Sequence, residues 1–340
     1  MSKIFIAFSI FVLVIACVKE KNDAEQNFSI RIPDHFPAVN YDLTLNPISK
    51  EGFELGRKLF YDPILSRDSS ISCGSCHQQS AGFTQHGHDI SHGIDDLLGT
   101  RNALPVMNLI WNKSFFWDGG VHNLDFVPIN AITSKVEMDE SLENAIGKLN
   151  RHPQYPSLFK SWINVDKIES KDLLKALSQF MAFCVSANSK YDQSLQVNSV
   201  QLTSDEFEGL QLVNTKCSPC HSTALFTDFS FRNNGLVLTG DLGRYKASLV
   251  DSDLYRFRVP SLRNLSYTAP YMHDGRFRTI DQVLDHYANK VVMSATLDSN
   301  LIRKEGLGIP LTEEEKTKIK LFLKTLDDES FIRNPILSEQ

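Results

Sequence analysis

Four of the six cysteines lie in two copies of one short string, Cys-x-x-Cys-His. Two thiols three positions apart can add to the two vinyl groups of one porphyrin, and a histidine directly after them is placed to ligate the iron. The motifs therefore predict covalent attachment of two c-type haems. The predicted haem-binding residues are Cys73, Cys76 and His77 in the first motif and Cys217, Cys220 and His221 in the second.

Cys-x-x-Cys pairs also occur in structural zinc sites and in redox-active dithiols. Zinc requires four ligands around one ion, whereas each pair here has its own adjacent histidine and the two motifs are far apart in the chain. We therefore favour haem over these two alternatives, with His77 and His221 as the proximal iron ligands.

The first 17 residues have the pattern of an export signal. A short charged start is followed by an apolar run over residues 4–16, which is too short to span a membrane. The run ends in the string VIAC at residues 14–17, which resembles the lipobox of bacterial lipoproteins. We predict a signal peptide over residues 1–17, lipidation at Cys17, and a periplasmic or outer-surface location. A plain secretory peptide is the alternative.

The composition is that of an ordinary soluble globular protein. The net charge of −6 shows no basic excess, so we expect no nucleic-acid partner, and membrane contact only through the lipid anchor. Residues 18–44 are interpreted as a tether and lead-in, because the segment starts with a polar stretch that lacks aromatic residues. The rest suits two domains, which we place at residues 45–195 and 196–340.

Helical patterns accompany both motifs. A helix is expected shortly before each motif, and Thr203 and Glu206 have the spacing of a capping box at the start of the second of these helices. Residues 170–185 carry apolar side chains at helical spacing and should close the first domain, with Cys184 in its core. Residues 312–326 show the same pattern and should close the second domain.

Long segments rich in Gly, Asn, Asp and Pro separate these helices, at residues 78–130 and 222–270. Loops of this length in a compact domain are usually functional, and here we expect them to wrap around porphyrins. Alternating strand patterns are few. The predicted fold is therefore all-α, with two cytochrome c-type domains that each carry one covalently bound c-type haem.

Residues 45–330 resemble the bacterial di-haem cytochrome c peroxidases, including the MauG-type enzymes of methylamine utilisation. The resemblance implies two helical cytochrome c domains, a peroxide-reacting haem in the N-terminal one, an electron-entry haem in the C-terminal one and a calcium ion between them. The matching strings, in chain order, are LGRKLFYDP (55–63), SCGSCH (72–77), RNA (101–103), FWDG (116–119), VEM (136–138), VPSLRN (259–264) and APYMHDG (269–275).

The resemblance also assigns roles to individual residues. Glu137 matches the acid/base that moves a proton between the peroxide oxygens, although a solvated surface glutamate is the alternative. Trp117 matches the tryptophan that lies between the haems and assists electron transfer. Calcium ligands are implied at Asn102, through its side chain, and at Thr268 and Pro270, through their backbone carbonyls.

Three positions depart from the family pattern. Ile94 stands where peroxidases that require reductive activation have a histidine cap on the N-terminal haem, and His92 in a shifted loop is the alternative ligand. Tyr287 stands where typical members have the methionine that ligates the C-terminal haem, as in MauG-type members, and Met293 is the competing ligand. Val127 replaces a glutamine that is common in the peroxide pocket.

The function implied by the resemblance is reduction of hydrogen peroxide to water. The electrons would come from a small cytochrome or a cupredoxin and would enter at the C-terminal haem. We also consider a homodimer as the oligomeric state. Two alternatives remain: MauG-type oxidation of a protein residue, and non-catalytic electron transfer. An open N-terminal haem beside Glu137 favours an enzyme. A protein that only carries electrons would be expected to fill both axial positions of each iron, because the iron then reorganises little on electron transfer.

Replacing either motif histidine should perturb only one haem. His77→Ala and His221→Ala are each expected to change the spectrum of one haem and leave the other as in the parent protein, because each motif serves its own porphyrin. Haem content and electron paramagnetic resonance of the two variants measure this. Loss of both haems from a single, still folded variant would contradict two independent sites.

Overall fold

The computed structural model describes residues 28–340. The signal peptide, Cys17 and the start of the tether lie outside these residues. The helices, numbered in chain order, are α1 Lys50–Tyr61, α2 Cys73–Cys76, α3 Val127–Thr133, α4 Leu142–Arg151, α5 Tyr155–Ile163, α6 Ser170–Phe183, α7 Lys190–Ser194, α8 Ser204–Lys216, α9 Tyr245–Ser248, α10 Ile280–Asn289, α11 Glu313–Lys324 and α12 Glu329–Ile332. The strands are β1 Phe231–Arg232, β2 Phe257–Arg258, β3 Ile302–Arg303 and β4 Gly306–Leu307.

The expected helices are present, and the capping signals act where the sequence places them. At the start of α8 the Thr203 hydroxyl accepts a hydrogen bond from the Glu206 backbone N–H, and the Glu206 carboxylate accepts from the Thr203 backbone N–H. Each cap satisfies backbone groups that the helix itself leaves unpaired. The prediction of a capping box at Thr203 is confirmed.

The first helical core forms where α1 packs against α6. Phe53 and Phe60 from α1 contact Phe180 from α6, and the rings of Phe60 and Phe180 have centroids 4.8 Å apart. Cys184 caps the C-terminus of α6 and is fully buried, so its predicted place in the core is confirmed. Most residues of this core come from the first half of the chain, and Leu225, Phe331 and Leu337 come from the second half.

The second core is smaller and forms where α8 packs against α11. Val213 of α8 and Ile319 and Phe322 of α11 are buried there, and Phe226 from the loop after the second motif packs its ring edge-on against Phe322. This helix pair repeats the arrangement of α1 and α6. The helix that precedes each haem motif thus packs against a later helix of its own half.

Each helix pair crosses at a glycine. A methyl group added at Gly56 in α1 would collide with the backbone carbonyl of Ala176 in α6, and one added at Gly209 in α8 would collide with the carbonyl of Lys318 in α11. Absence of a side chain therefore lets both pairs approach backbone to backbone. Neither glycine role was predicted from the sequence.

The long segments at 78–130 and 222–270 contain only short helical turns, α9, the first turn of α3 and the two-residue strands β1 and β2. The strands pair antiparallel, β1 with β2 and β3 with β4. A third small cluster of Val291, Leu297 and Leu301 packs beside the β3–β4 hairpin. Irregular chain thus surrounds both haem motifs, as the loop-rich sequence predicts.

A buried ion pair joins α7, which follows the first helical core in the chain, to the second half. Arg263 donates two hydrogen bonds to the Asp192 carboxylate, at 2.8 and 2.7 Å, and both side chains are fully buried. His35 Nε2 lies 2.9 Å from the same carboxylate. Removal of one partner of a buried ion pair would leave the other charge uncompensated. The pair therefore favours one arrangement of the two halves.

The end of the chain returns to the first core. Phe331 of α12 and Leu337 are buried there, and the rings of Phe331 and Phe83 have centroids 5.5 Å apart. The sequence placed the whole of residues 196–340 in the second domain, so this crossing is a feature that it did not predict. Within residues 28–340, no helix combines the length and the apolar character that a membrane span needs.

The glycine crossings can be tested by adding one methyl group. Gly56→Ala and Gly209→Ala should each lower the free energy of unfolding by about 1–3 kcal/mol, the usual cost of overpacking. Gly147→Ala in α4 is the matched control, because its nearest neighbour is the flexible Arg151 guanidinium and alanine favours the helix. Denaturant unfolding of the three variants measures this. Equal stability of Gly56→Ala and Gly147→Ala would rule out a tight crossing.

Candidate functional site

The first Cys-x-x-Cys-His motif forms the single turn α2 and the residue that ends it. Ser72 caps this turn by accepting a hydrogen bond from the Ser75 backbone N–H, which sets Cys73 and Cys76 one helical turn apart. His77 follows as the C-terminal cap, and its Nδ1 donates to the Phe83 carbonyl at 2.7 Å. With Nδ1 protonated, Nε2 carries the free lone pair that a metal would use.

The second motif repeats this geometry at the end of α8. His221 Nδ1 donates to the Phe226 carbonyl at 3.0 Å, so its Nε2 is also free. Burial lowers the pKa of both His77 and His221, which favours the neutral imidazole. The neutral imidazole is the form that binds a metal, so both histidines are compatible with the predicted role of iron ligand.

The thiols do not have the character of a redox-active dithiol. Burial raises the pKa of Cys73 to about 12 and the pKa of Cys217 and Cys220 to about 11. A reactive dithiol needs a lowered pKa. Among residues 28–340, no three His, Cys, Asp or Glu side chains are grouped as a metal site would require. The zinc and dithiol alternatives therefore lose their support.

A cavity of about 470 Å³ lies against the second motif. Its volume is in the range of cofactor sites, and its lining is mainly apolar. Both thiols of the motif and its histidine line the cavity, together with Tyr287 from α10 and Trp117 from the first half of the chain. The predicted haem-binding residues of the second motif thus line one cavity.

Two unpaired polar atoms in the cavity wall fit the carboxylates of a haem. Arg258 Nε and His273 Nε2 are buried without a hydrogen-bond partner in the part of the chain that the structure describes. An unpaired buried donor costs about 1–3 kcal/mol, so an anionic group in the cavity would remove that cost. Burial lowers the pKa of Arg258 to about 10, which leaves the guanidinium charged at neutral pH. The residues present therefore fit haem c.

Tyr287 and Met293 occupy different environments. Tyr287 lines the cavity, and burial raises the pKa of its hydroxyl to about 12. Met293 is 56% exposed and does not line the cavity. Met272, which the sequence did not single out as a candidate, lines the cavity with its thioether 3.5 Å from the Asn234 amide nitrogen.

Trp117 joins the first half of the chain to the cavity. It is buried, and its Nε1 donates to the Asn102 carbonyl at 2.8 Å. Its own carbonyl accepts from the Arg258 backbone N–H at 2.8 Å. The neighbouring Asp118 pairs with Arg101 at 2.6 Å, and Arg101 also pairs with Asp241 at 2.6 Å. One hydrogen bond from the first half thus holds the indole, and the second half holds the backbone of Trp117.

Asn102 and Pro270 are in direct contact. The Asn102 amide lies 2.6 Å from the Pro270 carbonyl oxygen, and the Asn102 backbone N–H donates to the His273 carbonyl at 2.8 Å. Thr268 is two residues before Pro270 and lines the same wall. Because amide orientation is assigned from the hydrogen-bond network, a cation could be accommodated by turning the amide oxygen towards it.

Glu137 lies near the first Cys-x-x-Cys-His motif. Its carboxylate is close enough to raise the pKa of Cys73 and Cys76, in addition to the larger effect of burial. Burial raises the pKa of Glu137 itself, and a hydrogen bond with the Ser134 side chain partly offsets this. A raised pKa makes this carboxyl group a better proton acceptor than an exposed glutamate. The solvated-surface alternative does not fit this environment.

The loop that carries Ile94 packs against Glu137. The Ile94 backbone N–H donates to the Glu137 carbonyl at 2.7 Å, and the Ile94 side chain is fully buried. Gly93 permits this approach, because a methyl group there would collide with the backbone of Val136 and Glu137. Val127, at the start of α3, packs against the first core with an apolar side chain.

The His92 imidazole is paired with Asp96. Its Nδ1 lies 2.5 Å from the Asp96 carboxylate, and the side chain is 39% exposed. The His92 backbone carbonyl lies 3.9 Å from the Cys76 sulfur. This geometry does not place His92 as a cap over His77.

Comparison with known proteins gives consistent matches. Residues 50–199 match the family model described as di-haem cytochrome c peroxidase. The chain is 34% identical to the methylamine utilization protein MauG of Methylorubrum extorquens, over 84% of this chain and 80% of that protein. It is 31% identical to the cytochrome c551 peroxidase of Nitrosomonas europaea, over 86% of this chain and 85% of that protein.

A solved structure has a similar fold. It is the crystal structure of a MauG-like protein associated with microbial copper homeostasis, with a TM-score of 0.81 and 29% identity. The match covers 90% of this chain and 97% of that chain. The similarity therefore extends through both haem motifs and the segments between them.

Proposed function

The chain belongs to the di-haem cytochrome c peroxidase family, a family of peroxidase-type oxidoreductases, and on this basis we propose that it reduces hydrogen peroxide to water. Two electrons and two protons convert one peroxide into two water molecules. We propose that a small cytochrome or cupredoxin supplies the electrons, which enter at the C-terminal haem. The cofactors would be two covalent haems c, attached through Cys73 and Cys76 and through Cys217 and Cys220.

The observation that carries this proposal is the difference between the two haem-binding sites. Ile94, a residue that cannot ligate iron, is buried beside Glu137 on the first side, whereas Tyr287 lines the cavity of the second. When bound, the haem iron of the first motif would supply the redox chemistry that splits the peroxide O–O bond. A protein that only carries electrons would be expected to have ligands on both sides of both irons, because each iron would then reorganise little. The difference between the two sites therefore favours an enzyme.

In this proposal, Glu137 takes the proton from one peroxide oxygen and gives it to the other as the bond breaks. Burial raises the pKa of Glu137, and this supports the role because it makes the carboxylate a stronger proton acceptor. Trp117 would assist electron transfer between the two sites, and its contacts with both halves support that assignment. Val127 offers no hydrogen bond to peroxide, which leaves Glu137 with a larger share of that task.

We also propose one calcium ion at Asn102, Thr268 and Pro270. The contact between the Asn102 amide and the Pro270 carbonyl supports this assignment. Because these calcium ligands include no carboxylate, water would have to complete the coordination and the affinity for calcium would be modest.

The domains are proposed as residues 45–195 and 196–340, with α12 lying on the first core. Location in the periplasm or at the outer surface, through lipid on Cys17, is likewise a proposal.

MauG-type oxidation of a protein residue is the second candidate. It is favoured by Tyr287 in the cavity wall, because a tyrosinate ligand stabilises ferric iron and would make the second haem a poor high-potential electron acceptor. Met293, the ligand that would favour the ferrous state, is largely exposed. Steady-state consumption of peroxide with reduced small cytochromes separates the candidates, because a MauG-type enzyme would show little turnover with them.

The resting ferric protein should react with peroxide without prior reduction. Ile94 leaves the first site without a histidine cap, and the His92 imidazole is paired with Asp96. His92→Ala should therefore react at the same rate as the parent protein. The measurement follows changes in the Soret band after each protein is mixed with stoichiometric peroxide. An inert parent protein that His92→Ala makes reactive would show that His92 caps the haem after all.

Glu137→Gln should slow the reaction with peroxide by about 10²- to 10⁴-fold, because a positioned acid/base contributes that much in rate. The variant keeps the shape of the side chain and removes its proton acceptor, so both haems and their resting spectra should be retained. Glu143→Gln is the matched control, since Glu143 is exposed at the start of α4. Stopped-flow measurement of the Soret change tests this, and an unchanged rate in Glu137→Gln would assign the proton transfer to another group.

A further inference from the structure

One arginine joins two segments of the chain beside the first site. Arg67 donates one hydrogen bond to the Asp95 carboxylate at 2.7 Å and another to the Asp139 carboxylate at 2.5 Å. Asp95 directly follows Ile94, and Asp139 lies two positions after Glu137. Arg67 therefore spans the place where the loop that carries Ile94 meets the segment that carries Glu137.

Both segments contain backbone conformations that residues other than glycine rarely adopt. In the Ile94 loop, residues 89–99, Asp95 has a φ of 55° and Asp96 a φ of 59°. Asp139, in the other segment, has a φ of 46°. Aspartate tolerates this region better than most residues, but the conformation still costs free energy and persists only where its surroundings impose it. The contacts of Asp95 and Asp139 with one arginine are placed to do so.

The main chain of Arg67 is fixed by contacts of its own. Its N–H donates to the Met138 carbonyl at 2.9 Å. Its carbonyl accepts from the Lys148 ammonium group at 3.1 Å, and the same group lies 2.7 Å from the Glu140 carboxylate. Because these bonds connect Arg67 to α4 and to the segment after Glu137, the guanidinium extends from an ordered part of the backbone.

The contact of Arg67 with Asp95 lies next to the hydrogen bond that joins the two segments. The Ile94 N–H donates to the Glu137 carbonyl at 2.7 Å. Among residues 28–340, Arg67 is the one hydrogen-bond partner of the Asp95 carboxylate. Exposed ion pairs usually contribute little one at a time, and the Arg67 and Asp95 side chains are 43% and 62% exposed. Here a single planar guanidinium serves two carboxylates, so the order of one side chain supports both contacts.

We propose that Arg67 is a positioning residue for the first site, which holds the Ile94 loop against Glu137 by pairing with Asp95 and Asp139 together. This inference rests on the proposed function, in which Glu137 moves the proton of peroxide. An acid/base must lie within hydrogen-bond reach of the atom that it serves. Loosening the two segments should therefore displace the Glu137 carboxylate and slow the reaction.

Hydrogen exchange of the full di-haem protein tests the contact directly. In Arg67→Gln, the backbone amides of the Ile94 loop should exchange faster than in the parent protein by roughly 2- to 30-fold, the range expected from the loss of two exposed ion pairs. The amides of α8, in the second half of the chain, should exchange as in the parent protein. This comparison distinguishes a local opening from a general loss of stability.

Reaction with peroxide tests the consequence. The Soret change of Arg67→Gln after mixing with peroxide should be slower by roughly 10-fold, because displacement of a reacting group by about 1 Å can cost about 10²-fold in rate. Arg67→Lys keeps the positive charge, and it should recover part of both the protection from exchange and the rate. Such recovery is expected of a positioning charge and not of a side chain that only fills space.

Two further variants and one control complete the comparison. Asp95→Asn and Asp139→Asn remove the carboxylates but tolerate a positive φ, so each should reproduce part of the effect of Arg67→Gln. Arg67→Gln combined with Asp95→Asn should exchange no faster than Arg67→Gln alone, because both changes break the same contact. Arg333→Gln is the control, since it removes an exposed ion pair with Glu329 and should leave both measurements unchanged.

The outcomes decide for or against the proposal. Faster exchange confined to the Ile94 loop, together with a slower reaction and partial recovery in Arg67→Lys, would support it. Exchange in Arg67→Gln as in the parent protein would overturn it, and so would faster exchange throughout the chain or faster local exchange with an unchanged rate of reaction. An unchanged rate in Glu137→Gln would overturn the assignment of Glu137, a separate failure that the exchange measurement does not share.

Discussion

The orientation of each motif histidine depends on one hydrogen bond from its Nδ1 to a backbone carbonyl. His77 uses the carbonyl of Phe83, and His221 uses that of Phe226. Since this bond keeps the proton on Nδ1, it frees Nε2 for a metal and restricts rotation of the ring. The loop after each motif must fold back far enough to supply the carbonyl. The irregular chain directly after each motif follows from this requirement.

Two nearly identical motifs have different surroundings, because different segments of the chain pack beside them. On the first side, a loop with buried Ile94 packs against Glu137. On the second side, α10 and the segment around Asn234 place a phenol in the wall. The division of labour proposed here, with peroxide chemistry at one site and electron entry at the other, rests on this difference.

Buried polar contacts connect the two halves of the chain. Trp117 contributes to the wall of the second cavity, and hydrogen bonds from both halves hold it. The fully buried pair of Asp192 and Arg263 ties the connecting segment to the second half, where loss of either partner would leave a charge without compensation. The return of α12 to the first core adds an apolar contact between the halves. Electron transfer between two sites needs a fixed separation, and these contacts favour one arrangement.

The local features were determined by the sequence itself: both haem motifs, the capping box at Thr203, the helices over 170–183 and 313–324, and the burial of Cys184. These depend on neighbours within a few positions, so spacing and residue type are sufficient to predict them. Family resemblance added Glu137, Trp117 and Tyr287 as candidates. Only the tertiary structure paired His92 with Asp96, left Met293 exposed, placed Tyr287 and Trp117 in the wall of one cavity and returned the end of the chain to the first core. Each of these depends on contacts between residues that are distant in sequence or on the path of a loop, and no local pattern encodes them.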